Sequence, residues 1–230
     1  MVLIPYLYPP RAHRALKQKP LTSPTVDALY NTVIFDLGGV LIDWNPAYLY
    51  RKIFADEEEM QRFLTDVCHA DWNKEQDRGR LFAEAVQERV AAFPHYESQI
   101  QSYHQRWEEM LGGAIEENVQ VLEDLYQQSD LHLYAITNWS AETYPTAQRL
   151  FPFLSYFEDV IVSGELKLVK PDAAIYQVLL DRQPIVPERA IFIDDVRENV
   201  DGARALGIHG IHLTPKTNLR EELKALGVLR

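Results

Sequence analysis

Short apolar runs ending in acidic or small polar residues alternate with amphipathic stretches over much of the chain. The first clear run, TVIFDL at 32–37, closes on Asp36 and is followed by Gly38-Gly39, the pattern of a buried strand entering a tight loop. From Pro46 to about Met110 the periodicity is helical only; in LFAEAVQERV, Leu81, Phe82, Ala85, Val86 and Val90 fall on one face. After Gly112-Gly113 the pattern becomes an alternation. Ile115, Val119, Leu122 and Leu125 form a helical stripe, and LHLYAIT (131–137) reads as a strand. A helix over AETYPTAQRL, a strand at 160–163, a helix over AAIYQVLLDR and a strand at 190–194 follow. VRENVDGARALG then predicts a helix closing on Gly207, and IHGIHL a last strand. Such an alternation predicts an α/β fold, a parallel sheet with helices on both faces.

Residues 1–30 are proline-rich and without period, which predicts an N-terminal arm with Tyr6 and Tyr8 packed on the body. The apolar start of MVLIPYLYPPRAHR is too short, and too broken by Pro5, Pro9 and Pro10, for a signal peptide. No apolar run reaches the ~18 residues of a membrane span. At 230 residues and 47% hydrophobic composition the chain can hold one domain with a smaller insert and a sizeable core. The aromatic residues crowded between Trp44 and Trp107 fit the core of a small helical bundle. A net charge of −11 excludes a nucleic-acid backbone as partner, because no basic stripe is available to release counterions. The single cysteine, Cys68, allows neither an internal disulfide nor a Cys-rich zinc site, so a reducing cytoplasm is the expected compartment. Packing is the expected role of Cys68.

In parallel sheets ligands bind beyond the carboxyl ends of the strands, and four predicted strand ends or adjoining loops carry candidate chemistry. Asp36 can serve as nucleophile or metal ligand, with Gly38 and Gly39 allowing backbone groups close to a ligand. Thr137-Asn138 offers a hydroxyl and a backbone N–H to a phosphate oxygen, although Ser140 capping a helix from Ala141 is the plainer reading of that turn. Lys170 in KLVKPD would neutralise a phosphoryl group, and Pro171 would fix it as the first residue of a helix. Asp194-Asp195 repel each other unless a cation sits between them, which suits Mg²⁺; a cap formed by Asp195 with Glu198 is the structural alternative. Gathered at one edge of a sheet, these groups supply a nucleophile, oxyanion donors, a cation and metal ligands.

VIFDLGGVLID, AITNWS, KLVKPD and IFIDDVRENVDGARALG resemble, in this order, the motifs of the haloacid dehalogenase superfamily, over roughly residues 32–215. The resemblance implies a Rossmann-like core formed by 31–45 and 113–230, with 46–112 inserted as a helical cap. It implies a Mg²⁺-dependent phosphatase acting on a small phosphorylated metabolite, in which Asp36 attacks phosphorus and forms an aspartyl-phosphate. Asp36, the Gly38 carbonyl, Asp194 and Asp195 would hold the metal, while Thr137, Asn138, Lys170 and Gly39 would bind the transferred group.

One position departs from the pattern. Phosphatases of the family usually carry a second aspartate two residues after the nucleophile as general acid and base, and this chain has Gly38. A subgroup that includes bacterial sugar-phosphate phosphatases is similar in having FDLG followed by Gly or Asn. Asp43, His69, Glu75 and Asp77 are the candidate substitutes. Two other functions stay open. A 2-haloacid dehalogenase would use Asp36 without metal but needs an arginine near the nucleophile, and the nearest is Arg51. A non-catalytic relative would bind a phosphorylated ligand without turnover. DWNKEQDRGRL, with its Gly79 turn, is the expected loop reaching the site from the cap, and Trp44, Trp72, Asn73, Arg78 and Trp107 are candidates to face it.

Overall fold

The predicted strands assemble, in a computed structural model that describes residues 29–230, into one five-stranded parallel sheet. The arm with Tyr6 and Tyr8 lies outside the described residues. The strands are β1 (Thr32–Phe35), β4 (His132–Thr137), β5 (Asp159–Val162), β6 (Ala190–Asp194) and β7 (His209–His212), in the order β5-β4-β1-β6-β7. Alternate strand residues feed two cores. Val33, Phe35, Leu133, Ala135, Ile191 and Ile193 pack on one face; Ile34, Tyr134, Ile136 and Phe192 pack on the other, with Ile175, Tyr176 and Leu179 of helix Ala173–Arg182. Both faces being covered, the central strands β4, β1 and β6 are near-continuous buried runs rather than alternating ones, as expected of parallel strands.

β1 pairs in parallel with β4 on one side and β6 on the other. From β1 the chain continues toward β4 and from β6 toward β7, so the order reverses between β1 and β6. A crevice opens at such a point beyond the strand ends. Asp36 and Asp194 stand on its two sides.

A two-stranded antiparallel pair, β2 (Ile42–Trp44) with β3 (Leu111–Ala114), was not expected. Four residues around Gly112-Gly113 give too little apolar pattern to signal a strand, and only the partner segment about 70 residues away defines it. Between β2 and β3 the chain is helical from Ala47 to Met110, as predicted. Tyr50, Phe54, Phe63 and Tyr96 cluster there, with ring centroids of Tyr50–Phe63 at 4.8 Å and Phe63–Tyr96 at 5.3 Å. The helix predicted around LFAEAVQERV runs Phe82–Ala92, with Phe82 and Ala85 buried, but Leu81 precedes it and is exposed. Its first amide, Phe82 N–H, donates to the Glu142 carboxylate at 2.6 Å, across the boundary between helical segment and sheet layer. Ser163 Oγ crosses the same boundary, donating to Asp77 O at 2.6 Å, and Arg149 bonds Glu108 at 2.8 Å.

Three helix starts differ from expectation. The helix after Ser140 begins at Tyr144, because Ser140 Oγ accepts from Glu142 N–H at 3.2 Å and forms a turn first. Pro171 is not a first helical residue: Val169–Asp172 makes a turn, the Lys170–Pro171 peptide is cis, and the helix starts at Ala173. The Asp195–Glu198 cap does not form; the helix Arg197–Arg204 follows Val196, whose N–H donates to Asp194 at 2.8 Å instead. Among the described residues no helix is long and apolar enough to cross a membrane.

Candidate active site

Asp36 projects past the end of β1, where its own N–H still continues the ladder to Ile193 O at 2.8 Å. One carboxylate oxygen accepts from Leu37 N–H at 2.7 Å and from Lys170 Nζ at 2.8 Å. The loop then turns back tightly, Leu41 and Ile42 N–H both donating to Leu37 O. Gly39 has φ +72°, a conformation that favours glycine, and a Cβ there would displace the Asp195 carboxylate from its place. Gly38 differs: a Cβ would meet nothing within 4 Å.

Asp194 ends β6 fully buried. Its oxygens accept from Lys170 Nζ at 2.7 Å, from Val196 N–H, and from Asn199 Nδ2 at 3.0 and 3.1 Å. Asp195 is exposed at the mouth. Lys170 reaches this place because Asn138, just beyond β4, clamps its backbone: Lys170 N–H donates to Asn138 Oδ1 at 2.8 Å and Asn138 Nδ2 donates to Lys170 O at 3.1 Å. Thr137, the last residue of β4, is buried beside them. The structure thus brings together Asp36, Asp194, Asp195 and Lys170, with Gly38 and Gly39 in the loop and Thr137-Asn138 next to it.

Burial pushes the Asp36 carboxyl up to about 7; the Lys170 ammonium opposes this, and the Asp194 and Asp195 charges add to it. For Lys170, burial alone would lower the pKa, but the Asp36 and Asp194 carboxylates reverse the effect and raise it, keeping the ammonium charged. Burial and the neighbouring Asp194 also raise Asp195. One ammonium faces three carboxylates, whose ligand oxygens lie within 4.8 Å of one another. That donor set, all hard oxygens with uncompensated negative charge, fits a hard divalent cation such as Mg²⁺.

Beside the cluster lies a cleft of about 80 Å³, lined by Gly38 and Asn138 together with Trp44, Asn73, Asp77, Phe82, Trp107 and Trp139. Of the residues expected to face it, Trp44, Asn73 and Trp107 do. Trp72 is buried against Tyr103 at 4.9 Å, and Arg78 is exposed and pairs with Glu75. Trp44 Nε1 is buried without a hydrogen-bond partner. Cys68 is buried with its thiol pushed up to about 12, chiefly by that burial, and packs as expected.

These features are those of a hydrolase with a strand-end aspartate. The model of the haloacid dehalogenase-like hydrolases matches residues 33–213, and the chain belongs to that family. It is 26% identical over 189 residues to a phosphorylated carbohydrates phosphatase of Thermotoga maritima, covering 78% of this chain and 83% of that one. It is 24% identical to a sesquiterpene phosphatase of Aspergillus oryzae, covering 86% of this chain and 96% of the relative. A haloacid dehalogenase family enzyme of Bacteroides thetaiotaomicron, solved with magnesium and inorganic phosphate, superposes with a TM-score of 0.64 at 22% identity, over 84% of this chain and 98% of the other.

Sequence reasoning missed Asn199 and Ser163. Asn199 lies five residues after Asp194, in the first turn of helix Arg197–Arg204, and orients the buried carboxylate; that spacing was a usable signal. Ser163 accepts from Trp139 N–H at 2.9 Å while donating to Asp77 O, a bridge between segments distant in sequence that left no local trace.

Proposed function

We propose that the chain is a Mg²⁺-dependent phosphatase of a small phosphorylated metabolite, working through an aspartyl-phosphate on Asp36. The observation that carries this reading is the convergence of Asp36, Asp194, Asp195 and Lys170 at the switch between β1 and β6, next to a cleft. Asp36, the Gly38 carbonyl, Asp194 and Asp195 would hold the metal. Bound there, Mg²⁺ would offset negative charge on the phosphoryl oxygens. Asp36 Oδ1 is occupied by Leu37 N–H and Lys170, which orients the carboxylate and leaves its second oxygen to attack phosphorus. Thr137, the Asn138 backbone and Gly39 would seat the phosphoryl group, and Lys170 would counter its charge. Residues 46–112 would act as a cap on the 31–45 and 113–230 core, excluding water from the cleft. The residues lining the cleft include no Lys or Arg, which suits a neutral alcohol as leaving group; the relatives named for carbohydrates and for sesquiterpenes fit that class. A cytoplasmic setting accords with the lone buried thiol.

The dehalogenase alternative gains nothing from the structure: Arg51 is exposed and lies 3.7 Å from Glu57. A panel of phosphate esters assayed with Mg²⁺ and with chelator tests the proposal. Phosphate release that requires Mg²⁺ and disappears in Asp36→Asn is expected. Metal-independent chloride release from 2-chloropropionate would establish dehalogenation, and ligand binding without either turnover would establish a non-catalytic binder.

A further inference from the structure

Gly38 stands where phosphatases of this family usually carry their acid and base, so the proton for the leaving group must come from another residue. Of the four acidic or imidazole candidates, three are engaged elsewhere. Asp43 accepts from Tyr48 OH at 2.6 Å, His69 caps its helix by accepting from Trp72 N–H, and exposed Glu75 pairs with Arg78. Asp77 alone of the four lines the cleft, which Gly38 also lines.

We propose that Asp77 is the general acid and base of this reaction, carried into the cleft by the helical segment in place of the missing aspartate. The inference rests on the phosphatase reading. In the first step the Asp36 oxygen bonds to phosphorus and the ester P–O bond breaks. Its electron pair stays on the leaving oxygen, which takes the proton of the Asp77 carboxyl and departs as alcohol. In the second, water bonds to phosphorus, the P–O bond to Asp36 breaks and restores that carboxylate, and the water's proton returns to Asp77. Ester and water have become alcohol and phosphate, and both aspartates are regenerated.

The surroundings of Asp77 fit both halves of the cycle. It is the last residue of helix Ala70–Asp77, where the helix dipole disfavours a negative charge. Burial pushes its carboxyl up to about 8; a Ser140 backbone N–H opposes this, and the Asp36 charge adds to it. The titratable groups facing it are Asp36 from the β1 loop and Tyr103 from helix Glu97–Gln105. Near neutrality Asp77 therefore carries a proton to give and a pKa close to the working pH, as an acid-base catalyst needs. Its position is held from both layers. Asn73 Nδ2 donates to Asp77 Oδ2 at 3.2 Å, Tyr103 OH donates to Asn73 Oδ1 at 3.0 Å, and Ser163 holds the backbone carbonyl.

The test compares wild type, Asp77→Asn and Asp77→Asn/Gly38→Asp on an alkyl phosphate and on the activated ester 2,4-dinitrophenyl phosphate. Asp77→Asn should slow the alkyl ester about 10²–10⁴-fold, whereas the first turnover of the activated ester, which needs no acid, should lose far less. Phosphorylated Asp36 should then accumulate and show in the intact mass. Gly38→Asp, for which the loop has room, should restore alkyl-ester turnover. In wild type, kcat/KM should fall above about pH 8 for the alkyl ester, and this limb should be absent for the activated ester; that comparison needs no variant to fold. Equal losses on both esters, or a wild-type profile identical for the two, would overturn the role of Asp77 alone. Failure of the wild type to release phosphate from either ester would overturn the phosphatase reading and Asp77's role together.

Discussion

Lys170→Met replaces the one cation of the cluster by an apolar side chain of similar length. Lys170 Nζ is fully buried, 2.8 Å from Asp36 and 2.7 Å from Asp194. Removing one partner of a buried ion pair leaves an unpaired charge and costs about 3–5 kcal/mol. The loss should depend on pH. Asp36 has a folded-state pKa near 7, above its unfolded value of 3.8, so its ionisation weakens the fold as pH rises through that window. Without Lys170 that pKa moves higher still and the weakening grows. At about pH 8 the variant should lose the full amount; at about pH 5, where folded Asp36 is protonated in both proteins, only the Asp194 contact is missing and the loss should shrink by a third or more. Urea unfolding in chelator at both pH values measures this. Mg²⁺ should return part of the stability, since a cation that binds only the folded cluster stabilises it by mass action. A loss below about 1 kcal/mol, or one equal at the two pH values, would refute the assignment of Lys170 as counter-ion to both carboxylates.

Asn199→Leu removes the donor to both Asp194 oxygens and should lower Mg²⁺ affinity about 10–100-fold, read from a metal titration of thermal stability; an unchanged midpoint would exclude a positioning role. Gly39→Ala forces a Cβ into the Asp195 carboxylate at positive φ, so it should cost about 1–3 kcal/mol and weaken Mg²⁺ binding as well, whereas Gly38→Ala at the open neighbouring position should do neither. Denaturation and metal titration of the two variants side by side check the contrast.

The sheet was legible because each strand is a short apolar run closed by a residue that cannot be buried without a partner. Asp36, Thr137 and Asp194 all stand at or just past strand ends for that reason. The β2–β3 pair was not legible, since its second strand is half glycine and becomes a strand only by pairing with residues about 70 positions away. At the site, the residue types pointed to the right chemistry but not to the contacts. Nothing local in KLVKPD says that Lys170 bridges two carboxylates, because Asn138 sets its path from 32 positions away. Asp77 was one of four equivalent candidates in sequence; its distinction is the wall it occupies, which depends on how the helices dock.

Helix Phe82–Ala92 borrows its N-terminal acceptor from Glu142, 60 positions further along the chain. Any excursion that parts the two layers strips that amide of its partner, and an uncapped helix start costs about 0.5–2 kcal/mol. The loss multiplies the rarity of the parted state by about 2- to 30-fold. With Ser163–Asp77 and Arg149–Glu108, this bond ties the helical segment to the sheet layer, so a substitution at Glu142 would loosen that junction without touching any group placed to handle phosphorus.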